Sequence, residues 1–194
     1  MPLLGPGDPL PRRPERVLVA GTSGAGKTTL ARAVAEVLDC SFVELDSLHH
    51  GPGWTKRPEF EDDVDRLTAQ PTWAAEWQYT AVRELLLDRA DCLVWLDLPR
   101  ALVLRRVVRR TLRRRLRREV LWNGNVEPPL RTFLTDRDHI VRWAWRTHGR
   151  TAERVAAALG RRPELTVVRV TSADDLDAWV RGPLRAAGTR RPDV

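Results

Sequence analysis

Val17-Leu18-Val19-Ala20 runs directly into Gly21-Thr22-Ser23-Gly24-Ala25-Gly26-Lys27-Thr28, a full match to the pattern G-x-x-x-x-G-K-S/T. No other stretch restricts the fold as much, because the pattern needs a buried strand before it and a helix N-terminus after it. A polyphosphate is wrapped by backbone N–H groups, so Gly21, Gly24 and Gly26 allow a tight turn and a close approach. The following helix aims the positive end of its dipole at the same oxygens. Nucleotide contacts are therefore expected from Gly21, Thr22, Ser23, Gly24, Ala25, Gly26, Lys27, Thr28 and Thr29. Lys27 is expected to meet the β and γ oxygens of ATP, and Thr28 to offer its hydroxyl to Mg²⁺. Of the 33 lysines and arginines only Lys27 and Lys56 are lysine. An ammonium kept at position 27 in such a chain marks a place where a planar guanidinium is not equivalent.

The rest of the chain reads as alternating strands and helices. Short apolar runs predict strands at Arg16 to Ala20, Phe42 to Leu45, Trp73 to Glu76, Cys92 to Leu96 and Leu165 to Val170, as strands buried on both faces should read. Helical spacing predicts helices at Thr28 to Leu38, Pro58 to Ala69, Ala81 to Asp88, Pro99 to Arg118, Asp136 to Leu159 and Ala173 to Leu184. That alternation argues for an α/β fold in three layers, a parallel sheet covered on both faces. With 194 residues, 42% of them hydrophobic, the chain suits one domain over 15–185. The first 14 residues, with five prolines, read as a flexible tail that cannot pair in a sheet, and 186–194 as a frayed C-terminus.

Composition excludes several classes. No apolar run approaches a membrane span, and the proline-rich start is unlike a signal peptide, so a cytoplasmic location is expected. Cys40 and Cys92 lack metal or redox spacing and read as reduced thiols. His49, His50, His139 and His148 lack metal-ligand spacing, and His49 and His50 are placed in a loop. No guanine-reading N-K-x-D segment and no LSGGQ-like stretch occurs.

In an open parallel sheet the ligand crevice lies at the carboxyl ends of the strands, where Asp46, Glu76 and Asp97 are predicted. Glu76 is expected to hold Mg²⁺, and Asp46 to accept or orient the acceptor's proton. Asp97, followed by Leu-Pro, reads as a helix start.

The layout of P-loop, Asp46, Glu76, Leu96-Asp97-Leu98-Pro99 and an arginine-rich segment resembles the adenylate kinase-like P-loop kinases. Within them it looks similar to the bacterial group called DNA topology modulation or FlaR-like proteins, from about Arg16 to Val170. The resemblance implies a five-stranded sheet of order 2-3-1-4-5, a mobile lid over about 105–142, and phosphoryl transfer to a small acceptor, a nucleotide or nucleoside being favoured. Where that group often reads D-G-N-Y, this chain has Glu76-Trp77-Gln78-Tyr79, with a longer acid and an indole beside the expected acceptor pocket. Trp54 and Trp77 either stack on a base or pack, and Gly51-Pro52-Gly53-Trp54 is a candidate flap.

From Arg100 to Arg118, ten of nineteen residues are arginine, with an apolar row at Leu104, Val108, Leu112 and Leu116. Three readings stay open: a solvated helix face, a lid edge in which Arg106 and Arg110 are catalytic by similarity, and a nucleic-acid or anionic-membrane surface. Leu121 to Arg131 falls where a lid tip is expected, with Arg131, Arg137 and Arg142 beyond it. The expected activity is an ATP-dependent P-loop phosphotransferase. The alternative is an ATP-dependent nucleic-acid-binding or regulatory NTPase that docks through the arginine helix.

Overall fold

The structure, a computed structural model, describes residues 3–126, 145 and 148–189. Five strands, β1 (Arg16–Gly21), β2 (Ser41–Phe42), β3 (Trp73–Glu76), β4 (Cys92–Leu96) and β5 (Thr166–Val170), form one parallel sheet of order β2-β3-β1-β4-β5. The order and the five strands agree with the expectation.

The side-chain period of two divides the core. Val17 and Val19 face one side with Leu30, Val34 and Trp179, while Leu18 and Ala20 face the other with Phe60, Trp73 and Leu86. Helices α1 (Lys27–Leu38), α2 (Leu45–His49), α3 (Phe60–Thr68), α4 (Arg83–Arg89), α5 (Arg100–Leu116), α6 (Arg150–Arg161), α7 (Ala173–Trp179) and α8 (Arg185–Gly188) surround the sheet. A π-helical turn, Val180–Leu184, joins α7 to α8 and contains Pro183. Ser172 opens α7 with a capping box, in which its hydroxyl accepts from the Asp175 N–H and the Asp175 carboxylate accepts from the Ser172 N–H.

Four expectations need correction. The N-terminal segment does pair: Leu4 donates to the Val167 carbonyl and accepts from the Arg169 N–H, both at 2.9 Å, extending the sheet beyond β5. Leu4 has the N–H and carbonyl that the prolines around it do not both offer. Leu10 is buried in the core, and Arg13 donates to the carbonyls of Leu38 (2.7 Å) and Gly188 (3.0 Å), where α1 and α8 end. The C-terminal segment is likewise packed, with Ala187 fully buried and Gly188 against the Val37 carbonyl of α1; residues 190–194 lie outside the described residues.

The second strand stops at Phe42, and Leu45 opens α2 and buries its side chain. Asp46 therefore stands in the first turn of a helix rather than at a strand end. In α5 the buried row is Val103, Val107 and Thr111, one position round from the row at Leu104, Val108, Leu112 and Leu116. Leu116 is 78% exposed. Both rows have a spacing of four, and the smaller β-branched one fits against the phosphate loop.

Candidate active site

Gly24 and Gly26 shape the loop between β1 and α1, with φ of +85° and +104°, values that a side chain resists. Gly24 has a second reason to lack a Cβ: one built there would collide with Val107 Cγ2 and stand 3.2 Å from the Val103 carbonyl. The glycine that lets the loop curl also lets α5 lie on it. Arg106 donates to the Ala25 carbonyl at 3.2 Å, and Arg110 to Ser23 Oγ at 3.4 Å. Both arginines singled out by similarity thus touch the loop. Thr22 and Ala25 are buried, while Thr29 is exposed in the first turn of α1.

Behind the loop lies a continuous chain of polar contacts. Thr28 Oγ1 donates to Glu76 Oε1 at 2.5 Å, and Gln78 Nε2 donates both to Glu76 Oε2 at 3.0 Å and to Asp46 Oδ1 at 2.8 Å. Tyr79 OH donates to the same Asp46 Oδ1 at 2.5 Å and lies 3.3 Å from His50 Nε2. His50 Nδ1 is 3.4 Å from His49 Nδ1, and the His49 ring stacks on Tyr79 at 4.1 Å. Thr28, Glu76 and Asp46 are thereby joined in one crevice, and the charges of Glu76 and Asp46 both act on Lys27.

Burial governs the charges there. Glu76, 2% exposed, has its carboxyl pushed above the usual range by desolvation, against the pull of Lys27 and the Thr28 hydrogen bond. Burial lowers the Lys27 ammonium, opposed by Glu76 and Asp46. Burial and then the Asp46 charge raise Tyr79, keeping it a proton donor. His49 and His50 are both lowered, mainly by burial, and so favour the neutral form.

The Asp46 side of the crevice is closed by two segments far apart in sequence. A short 3-10 turn, Pro52–Trp54, faces another, Trp122–Gly124. Asn125, 4% exposed, accepts from the Trp54 N–H at 3.0 Å and donates to the carbonyls of Gly51 and Trp122, both at 2.9 Å. Asn123 donates to the His50 carbonyl, and Trp54 Nε1 to the Val126 carbonyl at 3.3 Å. The segment expected at a lid tip therefore rests, over 121–126, on residues 50–54, which include the candidate flap Gly51-Pro52-Gly53-Trp54. Residues 127–144, and with them Arg131, Arg137 and Arg142, lie outside the described residues. Trp77 packs in the core, its Nε1 donating to the Arg83 carbonyl at 3.1 Å, so its indole faces the core. Asp97 accepts from Arg169 at 2.9 Å and 2.5 Å.

Sequence reasoning missed Gln78, Tyr79, Asn123 and Asn125. Tyr79 follows the Glu76-Trp77-Gln78 departure and is the chain's one tyrosine, a weak signal; the asparagines carried none beyond their loop composition. Among the described residues no helix is long and apolar enough to cross a membrane, and no cluster of His, Cys, Asp or Glu forms a metal site by itself.

Comparison with known proteins agrees with this frame. The model of the Zeta toxin family matches residues 7–49, the segment that holds the phosphate loop and Asp46. A Pyrococcus furiosus protein named "Putative adenylate kinase" is 45% identical over 53 residues, 26% of this chain and 29% of that relative's length. Among solved structures, a gluconokinase from Sinorhizobium meliloti superposes with a TM-score of 0.50 at 20% identity, over 91% of this chain and 93% of that one. A shikimate kinase from Acinetobacter baumannii, bound to shikimate, aligns with a TM-score of 0.43 at 21% identity over 90% and 88% of the two chains. Strand order, phosphate loop and the gluconokinase superposition together give this chain the fold of the P-loop kinases.

Proposed function

We propose that the protein transfers the γ-phosphoryl group of ATP to a hydroxyl of a small acceptor. The observation that carries this reading is the linked set Thr28–Glu76–Gln78–Asp46. It links Glu76 to Asp46 in one crevice, near enough to Lys27 for both charges to act on its ammonium. On this reading the loop amides and Lys27 hold the β and γ phosphates, and Arg106 and Arg110, already on the loop, offset charge on the transferring group. Asp46 takes the proton of the acceptor hydroxyl as its oxygen bonds to the γ phosphorus and the bond to the bridging oxygen of ADP breaks.

The oxygen pair of Thr28 and Glu76 suits a hard divalent cation, and these two residues would hold Mg²⁺. When bound, the ion supplies charge neutralisation across the β and γ phosphates. Glu76 must be ionised for that, so the raised carboxyl favours binding as pH rises. The chain is read as a member of the adenylate kinase-like kinases, with the topology-modulation group as the narrower assignment. A neutral acceptor is favoured on the Asp46 side. Among the described residues that side contributes the acid Asp46 and the neutral His49, His50 and Tyr79, while the cations Lys56 and Arg57 already pair with Glu61 and Asp63.

The nucleic-acid reading retains one supporting observation, the exposed outer face of α5 with Val108, Leu112 and Leu116 among arginines. The deciding experiment is transfer from labelled ATP and Mg²⁺ across nucleosides, nucleoside monophosphates, sugars and hydroxy acids, beside Lys27→Ala. Transfer to one class, lost in the variant, is the expected result. ATP binding without transfer, with turnover stimulated by nucleic acid and suppressed by salt, supports the rival instead.

A further inference from the structure

Both hydrogen bonds to the Asp46 carboxylate land on one oxygen. Gln78 Nε2 and Tyr79 OH donate to Oδ1, at 2.8 Å and 2.5 Å, and among the described residues Oδ2 accepts none. A carboxylate anchored through one oxygen by two neutral donors has its plane and its second oxygen fixed without losing its charge. Tyr79 is itself held. Its backbone lies at φ +59°, unusual for a bulky residue, and its ring is stacked on His49 and set edge-on against Phe60 at 5.1 Å.

One proton order fits the distances. The phenol has one proton, which belongs to the shorter bond to charged Asp46. At 3.3 Å the phenol oxygen can then accept from His50 Nε2–H, which leaves His50 Nδ1 to accept from His49 Nδ1–H at 3.4 Å. With these tautomers His49, His50 and Tyr79 form a line of donors that ends on the Asp46 carboxylate, each polarising the next. Among the described residues Asp46, Glu76 and Glu44, all acids, act on Tyr79 and each disfavours its ionisation.

We propose that Tyr79, together with Gln78, is a positioning residue that turns Asp46 Oδ2 toward the acceptor hydroxyl and keeps Asp46 at a fixed separation from Glu76. This rests on Asp46 being the proton acceptor of the proposed reaction. Gln78 sets the separation because its two amide hydrogens span the two acids. Tyr79 sets the rotation. Misplacing a reacting group by about an ångström costs on the order of 10²-fold in rate, which bounds the effect expected.

The chain has one tyrosine, so protein labelled with [13Cζ]tyrosine gives one NMR resonance, that of Tyr79. The resonance is expected to differ from that of a free phenol, to stay constant through about pH 10, where a free phenol ionises, and to move in Asp46→Asn. In turnover, Tyr79→Phe is expected to lower kcat by about 10- to 100-fold with ATP KM within about twofold, and to add nothing to Asp46→Asn. A resonance indifferent to Asp46→Asn, or losses that multiply in the double variant, would overturn the proposal. Should the wild type transfer no phosphate to any acceptor, the kinase reading fails. The resonance still decides separately whether Tyr79 holds Asp46.

Discussion

The two halves of the crevice are built by different means. On the phosphate side, β1, the glycine loop and α1 follow one another within residues 16–38, and backbone conformation does the shaping. On the side proposed for the acceptor, residues from 46, 50, 54, 79, 122 and 125 meet, and no two adjoining segments suffice. The phosphate side is therefore a local property of the chain. The acceptor side exists only once the fold has formed.

This difference can be broken at several points. The largest effect is expected from Lys27→Ala, which should lower transfer by about 10³-fold through loss of the charge on the β and γ phosphates, read in a labelled-ATP assay. Next comes Gly24→Ala, whose methyl group meets both a positive φ and Val107. It should cost about 2–4 kcal/mol and lower Tm by roughly 5–10 °C. The same change in a Val107→Ala background should cost less, because part of the penalty is the collision. Equal costs in the two backgrounds would assign the whole effect to φ.

Asn125→Ala should act only on the acceptor half. It removes an acceptor and two donor contacts at a buried position, for about 2 kcal/mol. ATP affinity should stay within about twofold while the acceptor KM rises, measured by titration calorimetry and steady-state kinetics.

The acceptor half should also respond to acid. With His49 and His50 lowered in the folded state, the unfolded chain binds more protons in the window below the ordinary histidine value of about 6.5. Their contribution is complete above that value and is lost as pH falls through the window. His49→Phe keeps the ring against Tyr79 without the titration, so its Tm should fall less than that of the wild type between about pH 7.5 and pH 5.5. An equal fall would place the acid sensitivity elsewhere. The smallest effect belongs to Leu116→Ser, at a position 78% exposed, which should change stability by less than about 0.5 kcal/mol.

The same contrast explains what could be read from the sequence. The strands Trp73–Glu76 and Cys92–Leu96 are where their apolar runs predict, because burial on both faces leaves a local signature. The loop glycines are equally legible. The early end of β2 at Phe42 is not, since it depends on Leu45 finding a place in the core. Nor is the buried face of α5, because two apolar rows compete and contact with Gly24 selects the one through Val107. The N-terminal segment misled through its prolines, which do not prevent the single residue Leu4 from joining the sheet. Tyr79 and Gln78 gave no local sign of their partner, since Asp46 lies more than thirty residues away.

The most direct test of the division between the two halves is Asp46→Asn, with ATP affinity and phosphoryl transfer measured on the same sample. Transfer should fall by about 10²-fold or more while ATP affinity stays within about twofold, if, as proposed, the carboxylate serves the acceptor and the loop serves the nucleotide. Parallel loss of both, or transfer that persists without the carboxylate, would contradict it.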